Sequence, residues 1–187
     1  MGRRARDDAW GPAAPEREVV AAARRGSRSA QDELIRRHHR SCVGLALHLL
    51  SDEDAALDAA QDACVRALEK LRSLKDDGRF RPWLMRIVVN RCRSIRRRAR
   101  ARPPEEPLSP SLPAADGPAS DQAERSRAVA EAVAGLPPAQ REAVVLFYYH
   151  GLKAHEAADV LGCSTAAVKT RLFEARRRLA DDLEAWL

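Results

Sequence analysis

The chain has 187 residues, with 33 Lys plus Arg against 27 Asp plus Glu and a net charge of +6, so it can hold one ordinary domain or two small ones and favours a polyanionic partner. No apolar run approaches the ~20 residues of a membrane span. The first residues, MGRRARDDAWGPAAPE, are charged and lack the apolar core of a secretory signal, which predicts a cytoplasmic protein without membrane insertion.

Residues 1–15 read as a disordered tail. Strand signals are nearly absent beyond it, and helical periodicity runs through most of the chain. A first helix is predicted over Arg17 to Arg25, stopping near Gly26. A second runs from about Ser29 to Leu50, with Leu34, Ile35, Val43, Leu45, Leu47 and Leu50 mostly inward. A third spans Asp52 to about Leu71. Ser29 with Asp32, Ser51 with Asp54 and Asp121 with Glu124 have the spacing of capping boxes. Leu57, Ala60, Cys64, Leu68 and Leu71 form the predicted core stripe of the third helix. Asp54, Asp58, Gln61, Asp62 and Glu69 lie on another side, as a solubilising face or as a docking strip for a basic protein partner.

The segment LKDDGRFRP interrupts the periodicity, and a helix restarts at Pro82 or Trp83, where a proline in the first turn is tolerated. From Trp83 to Arg102 there are eight arginines and no acidic residue. Trp83, Leu84, Ile87, Val88 and Ile95 recur at helical steps along one side. Arg86, Asn90, Arg93 and Arg97 follow the same steps about half a turn away. One face can therefore enter a core while the other offers guanidinium groups to phosphate and a carboxamide to a base edge.

Six of the eleven prolines fall between residues 103 and 120, among Ser, Ala, Asp and Gly. This composition cannot bury a core and predicts a flexible, partly extended linker, able to hold two domains apart at about 3 Å per residue. A second domain begins near Asp121. One helix reaches Gly135, and Pro137-Pro138 restarts the next, which carries Val144, Val145, Leu146 and Phe147. Between His155 and Leu179, Ala158, Gly162 and Val168 have helix-turn-helix spacing: a small residue for the crossing, a glycine for the turn, a branched plug for the core. Lys169, Thr170, Arg171, Phe173, Arg176, Arg177 and Arg178 decorate the second of these helices. The fold class expected is therefore all-α: two small helical domains, 16–102 and 121–187, joined by the proline-rich linker 103–120, the C-terminal one containing the helix-turn-helix.

The cysteines at 42, 64, 92 and 163 are widely spaced and sit on apolar stripes or at the turn, so they read as core thiols rather than as a zinc or redox pair. The histidines have no ligand spacing. No nucleophile triad, phosphate loop or paired-carboxylate pocket can be placed, so neither an enzyme, a metal site nor a cofactor is expected.

Taken together, these segments resemble a bacterial RNA polymerase sigma factor of the small extracytoplasmic-function type, from about Glu16 to Leu183. DAAQDACVRALEKL is similar to the family's core-binding helix, usually of the form DLVQEVFLRAW. FRPWLMRIVVNRCRSIRRR is similar to the helix that engages the −10 promoter element, with its WLxxIAxN core. GLPPAQREAVVLFYYHGLKAHEAADVLGCSTAAVKTRLFEARRRL resembles the −35-binding domain, with its LPxxxR opening and VKSRLxRAR run. The resemblance implies that 16–102 is sigma region 2 and 121–187 sigma region 4. It implies that Asp54, Asp58, Gln61 and Asp62 meet a coiled coil of the largest core polymerase subunit, with the β flap as a further contact. It assigns Arg79, Phe80, Trp83, Arg86, Asn90, Arg93 and Arg97 to the −10 element, and the loop from Ser73 to Arg79 to capture of an unstacked base. Thr165, Lys169, Thr170, Arg171, Phe173 and Arg176 fall to the −35 element. The implied partners are core polymerase, promoter DNA and an anti-sigma factor, and the implied function is promoter selection and melting without bond chemistry.

Three departures bear on these roles. Leu57 and Cys64 replace the usual acidic and aromatic residues of the docking helix. Glu174 stands where arginine is usual on the recognition helix; it could accept from cytosine N4 or pair with Arg178. Ser94 replaces a frequent Asp without evident consequence. Two other readings stay open from the residues alone: a stand-alone helix-turn-helix regulator that dimerises, and a non-catalytic interaction adaptor.

Overall fold

A computed structural model describes Trp10, Gly11, residues 13–101 and residues 121–183, and among these the chain is all-α. The expected linker 103–120 and most of the expected tail lie outside the described residues. So does the side chain of Asp121, and with it the capping box proposed there.

The first body has four helices: α1 (Glu16–Arg24), α2 (Arg28–Leu50), α3 (Glu53–Lys70) and α4 (Phe80–Ala101). Helix α1 buries Val19, Val20, Ala22 and Ala23. The chain then turns at Gly26, whose φ of +97° a side chain would resist. The cap of α2 is Ser27, not Ser29: its hydroxyl accepts from the Ala30 amide at 3.3 Å. Ser51 likewise does not open a capping box. It ends α2 in the left-handed region at φ 56°, and Asp52 takes over as cap of α3, accepting from the Ala55 amide at 2.8 Å.

Helix α3 departs most from its predicted stripe. The inward face is Ala56, Ala59, Ala60, Ala63, Cys64 and Ala67, whereas Leu57 is 42% exposed. Small side chains let α3 lie close against α2, and helix separation is set by the residues at the contact. Two 3₁₀ turns, at Leu71–Ser73 and Asp77–Arg79, lead into α4, which starts earlier than Pro82. Phe80, Leu84, Met85, Val88, Val89 and Cys92 form its buried face, with Trp83, Ile87 and Ile95 packed at the margin.

The second body comprises α5 (Asp121–Gly135), α6 (Pro138–Val144), α7 (Ala154–Leu161) and α8 (Thr165–Asp182). Helix α6 runs into a π-helical turn at Val145–Tyr149, closed by a bond from the His150 amide to the Val145 carbonyl. The extra residue keeps Val145 and Leu146 inside and turns Tyr148 and Tyr149 outward. Gly162 makes the turn between α7 and α8 at φ +69°, Ser164 caps α8, and Val168 is fully buried, as helix-turn-helix spacing requires.

The two bodies, which the length of the linker would allow to stand apart, are docked. Helix α4 lies along α7. Glu142, at the centre of the seam and only 3% exposed, accepts from Arg93 and Arg96 at 2.6 Å each. Arg79 reaches Asp159 at 2.9 Å, and the rings of His48 and Tyr149 meet at 4.3 Å. Among the described residues, the hydrogen bonds to the Glu142 carboxylate come from Arg93 and Arg96 of the other body.

Candidate nucleic-acid and protein interfaces

The outward face of α4 presents Arg86, Asn90 and Arg97 to solvent. Beside it, a cleft of about 450 Å³ is lined by Ser73, Leu74, Lys75 and Asp76 of the preceding loop, by Trp83 and Arg86, and by Asp159 and Val160 of α7. The cleft could admit a flat ring, and Asp159 on its wall is bonded to Arg79. Two residues expected on this face behave differently. Phe80 is fully buried, 5.1 Å from the His38 ring and 5.9 Å from Trp83, so it holds the helix in place and offers no surface. Arg93 is half-buried and spent on Glu142 and the Leu161 carbonyl. Sequence reasoning missed Glu142 entirely, because a carboxylate in another helix leaves no periodic signal.

On α3, Asp54, Asp58 and Gln61 are exposed. Asp62 is not free in the same sense: it is half-buried and holds Arg66 and Arg91 at 2.8 Å each. One arginine of α4 therefore does face the acidic strip. The exposed surface instead includes Leu57 and Val65, at 42% and 51% exposure, on the same three- and four-residue steps as Asp54, Asp58 and Gln61. That outward placement of Leu57 differs from the core stripe its apolar character predicts. The result is a mixed ridge in which two large aliphatic side chains stand exposed among carboxylates.

On α8, Lys169, Thr170 and Phe173 are exposed, the last at 60%. Thr165 sits half-buried in the first turn, and Arg171 is half-buried with Nη1 3.5 Å from Cys163 Sγ. The Thr170 hydroxyl donates back to the Ala166 carbonyl, leaving its oxygen lone pairs outward, and Arg176 Nε donates to the Tyr148 hydroxyl at 2.8 Å. Glu174 pairs neither with Arg178 nor with open solvent alone; it accepts from the buried Gln140 amide at 3.0 Å, which ties α8 to α6.

The thiols are packed rather than poised. Cys42, Cys64 and Cys92 are buried, and burial pushes the Cys92 thiol up to about 12.

Residues 34–102 match the family model for sigma-70 region 2, and residues 126–179 that for sigma-70 region 4. The chain is 40% identical over 179 residues to the ECF RNA polymerase sigma factor SigM of Mycobacterium tuberculosis, covering 96% of this chain and 86% of that one. Among solved structures it is similar to CnrH in complex with the cytosolic domain of CnrY, with 30% identity, a TM-score of 0.69 and coverage of 91% and 97% of the two chains. It is similar also to the sigma factor RpoE of Bartonella quintana in complex with the anti-sigma factor NepR, with 26% identity, a TM-score of 0.67 and coverage of 82% and 96%. An all-helical pair of bodies, with an arginine helix in one and a helix-turn-helix in the other, thus follows the order of two matched regions, and the chain belongs to the extracytoplasmic-function sigma factors of the sigma-70 family.

Proposed function

We propose that this sigma factor uses three separate surfaces to direct RNA polymerase to promoters. The ridge of Asp54, Leu57, Asp58, Gln61 and Val65 docks on a coiled coil of the largest core subunit, and the second body rests on the β flap. The outward face of α4, with Arg86, Asn90 and Arg97, engages the −10 element. The loop from Ser73 to Arg79 and Trp83 receives an unstacked base. Helix α8 lies in the major groove of the −35 element through Thr165, Lys169, Thr170, Phe173 and Arg176. A good bidentate base contact there contributes about 1–3 kcal/mol of discrimination. Capturing flipped bases offsets an unpairing cost of a few kcal/mol each, so melting needs no bond chemistry from this chain. On this reading 16–102 acts as region 2 and 121–187 as region 4. The chain works in the cytoplasm; among the described residues no helix is long and apolar enough to cross a membrane.

One observation carries the proposal. An exposed acidic and apolar ridge and an exposed Arg/Asn face occur on neighbouring helices of one body, while the other body holds a helix-turn-helix with an outward basic surface. The docked seam adds a step. Asp159 and Glu142 occupy Arg79, Arg93 and Arg96 much as phosphates would, and α7 walls the cleft beside Trp83, so base capture in that cleft requires the seam to open. The solved relatives in complex with CnrY and NepR make an anti-sigma factor a fitting partner for the closed form.

Reconstituted transcription tests this reading. Arg86→Ala and Asn90→Ala should each abolish opening of a cognate promoter while leaving duplex binding at the −35 element intact. Asp58→Arg should lose core polymerase in a pull-down while retaining free DNA affinity. Full transcription by the first two variants, or undiminished capture by the third, removes the corresponding assignment.

A further inference from the structure

A second cleft, of about 420 Å³, opens where α2 and the start of α4 meet the π-helical turn of the other body. Arg37, Arg40, His48 and Arg81 line it from the first body, Tyr149 and His150 from the second, and no carboxylate is on its walls. The basic groups are not equally engaged. Arg37 is spent on Glu33 and on the carbonyls of Ala14 and Gly11. The nearby Glu16 is hydrogen-bonded to His38. Arg81 donates to the His150 carbonyl, and neither Arg81 nor the exposed Arg40 has an ion-pair partner among the described residues. His48 Nδ1 donates to the Gly44 carbonyl at 2.7 Å, which leaves Nε2 over. The His150 ring is only 8% exposed, and its Nε2 has no partner.

Among the described residues, Arg40 and Arg81 thus stand in the cleft without an ion pair, although the nearby Glu16 carboxylate still acts on Arg81 through space. A compact oxyanion supplies the missing counter-charge, because its oxygens can accept from two guanidinium forks at once. We propose that this cleft binds a small phosphate-class anion between Arg40 and Arg81, against the wall that Tyr149 and His150 provide, and that occupancy favours the docked arrangement. Its walls come from both bodies, so the complete site exists only when they are together. An anion that binds one arrangement alone shifts the population toward it. The site thus lies apart from the promoter and polymerase surfaces and does not depend on their assignment.

The test titrates the full chain with pyrophosphate, and separately with inorganic phosphate, at constant ionic strength in chloride, following heat and small-angle scattering. Saturable one-to-one binding of pyrophosphate with compaction is expected. Arg40→Gln and Arg81→Gln should each weaken it about tenfold or more, whereas Arg125→Gln, which removes the same charge from α5, should change it less than about twofold. Arg40 is exposed, so its variant decides the matter should Arg81→Gln fail to fold. Absence of saturation, or equal losses in Arg125→Gln, overturns the site, and binding without compaction overturns its link to docking. If Arg40→Gln weakens a single-stranded oligonucleotide more than pyrophosphate, the cleft is a strand contact instead and the proposal falls. Promoter-directed transcription is not read here, so either account can fail without the other.

Discussion

Helices α4 and α8 are both rich in basic residues, but their charges stand in different states. On α4, Arg91, Arg93 and Arg96 are tied to Asp62 and Glu142. On α8, Lys169, Arg177 and Arg178 are exposed and have no ion pair among the described residues. The number of arginines therefore overstates what α4 can offer a phosphate backbone in the docked chain. Helix α8 presents its exposed cations as it stands, whereas α4 presents Arg86 and Arg97 but keeps Arg93 and Arg96 on Glu142, since an anion already bound to a guanidinium competes directly with phosphate.

The contrast breaks most readily at Phe80 and Glu142. Truncating the fully buried Phe80 to alanine should cost about 3–5 kcal/mol of stability, measured by denaturant unfolding, while Phe80→Leu should keep both fold and promoter opening. Selective loss of opening in a stably folded Phe80→Leu would return that ring to the DNA. Glu142→Gln leaves two half-buried guanidinium groups short of a counter-charge. Removing one partner of a buried pair costs about 3–5 kcal/mol, and the lower end applies because Arg93 and Arg96 keep some contact with water. The variant should expand in small-angle scattering and bind DNA more tightly without polymerase. A chain that stays compact would show that the seam does not depend on Glu142.

Acidity sharpens the same comparison by a smaller amount. Burial, then Arg81 and His48 across the seam, hold the His150 ring down at about 4. A ring freed by undocking binds a proton more readily, so docking is at full strength above about pH 6.5 and is lost as pH falls toward 4. The effect reaches at most about 1.4 kcal/mol per pH unit in that window. His150→Phe should flatten the pH dependence of compaction, and an unchanged profile would assign it to another group. The smallest effect belongs to Arg79 and Asp159, whose side chains are 51% and 59% exposed. Asp159→Ala should shift docking by no more than about 1 kcal/mol while raising the access of a single strand to the cleft beside Trp83. A quenching experiment on Trp83 with a −10 oligonucleotide measures that directly.

How much of this was readable from residues depends on the range of the interaction. Helix spans, the glycine at 162 and the buried Val168 follow from local rules, and the all-helical fold emerged from them. Caps were off by one or two residues at Ser27 and Asp52, because several Ser and Asp compete within a turn and backbone geometry chooses. The inward face of α3 was misread because leucine outranks alanine in transfer energy, whereas close packing against α2 selects small side chains. Glu142, Gln140 and the tie between Asp62 and Arg91 were not readable at all. Each depends on which helix lies opposite, and neither spacing nor composition encodes that. For the same reason the outward residues of α4 and α8 were legible, while their neutralised neighbours, such as Arg93, were not.

The most direct measurement follows the distance between labels on α1 and α5 as core RNA polymerase and then a cognate promoter are added. A single short distance in the free chain should lengthen on binding polymerase and stay long while start-site-selective RNA is made. Unchanged short distance during such synthesis would contradict the account, because the cleft beside Trp83 would then be receiving a base with α7 still across it.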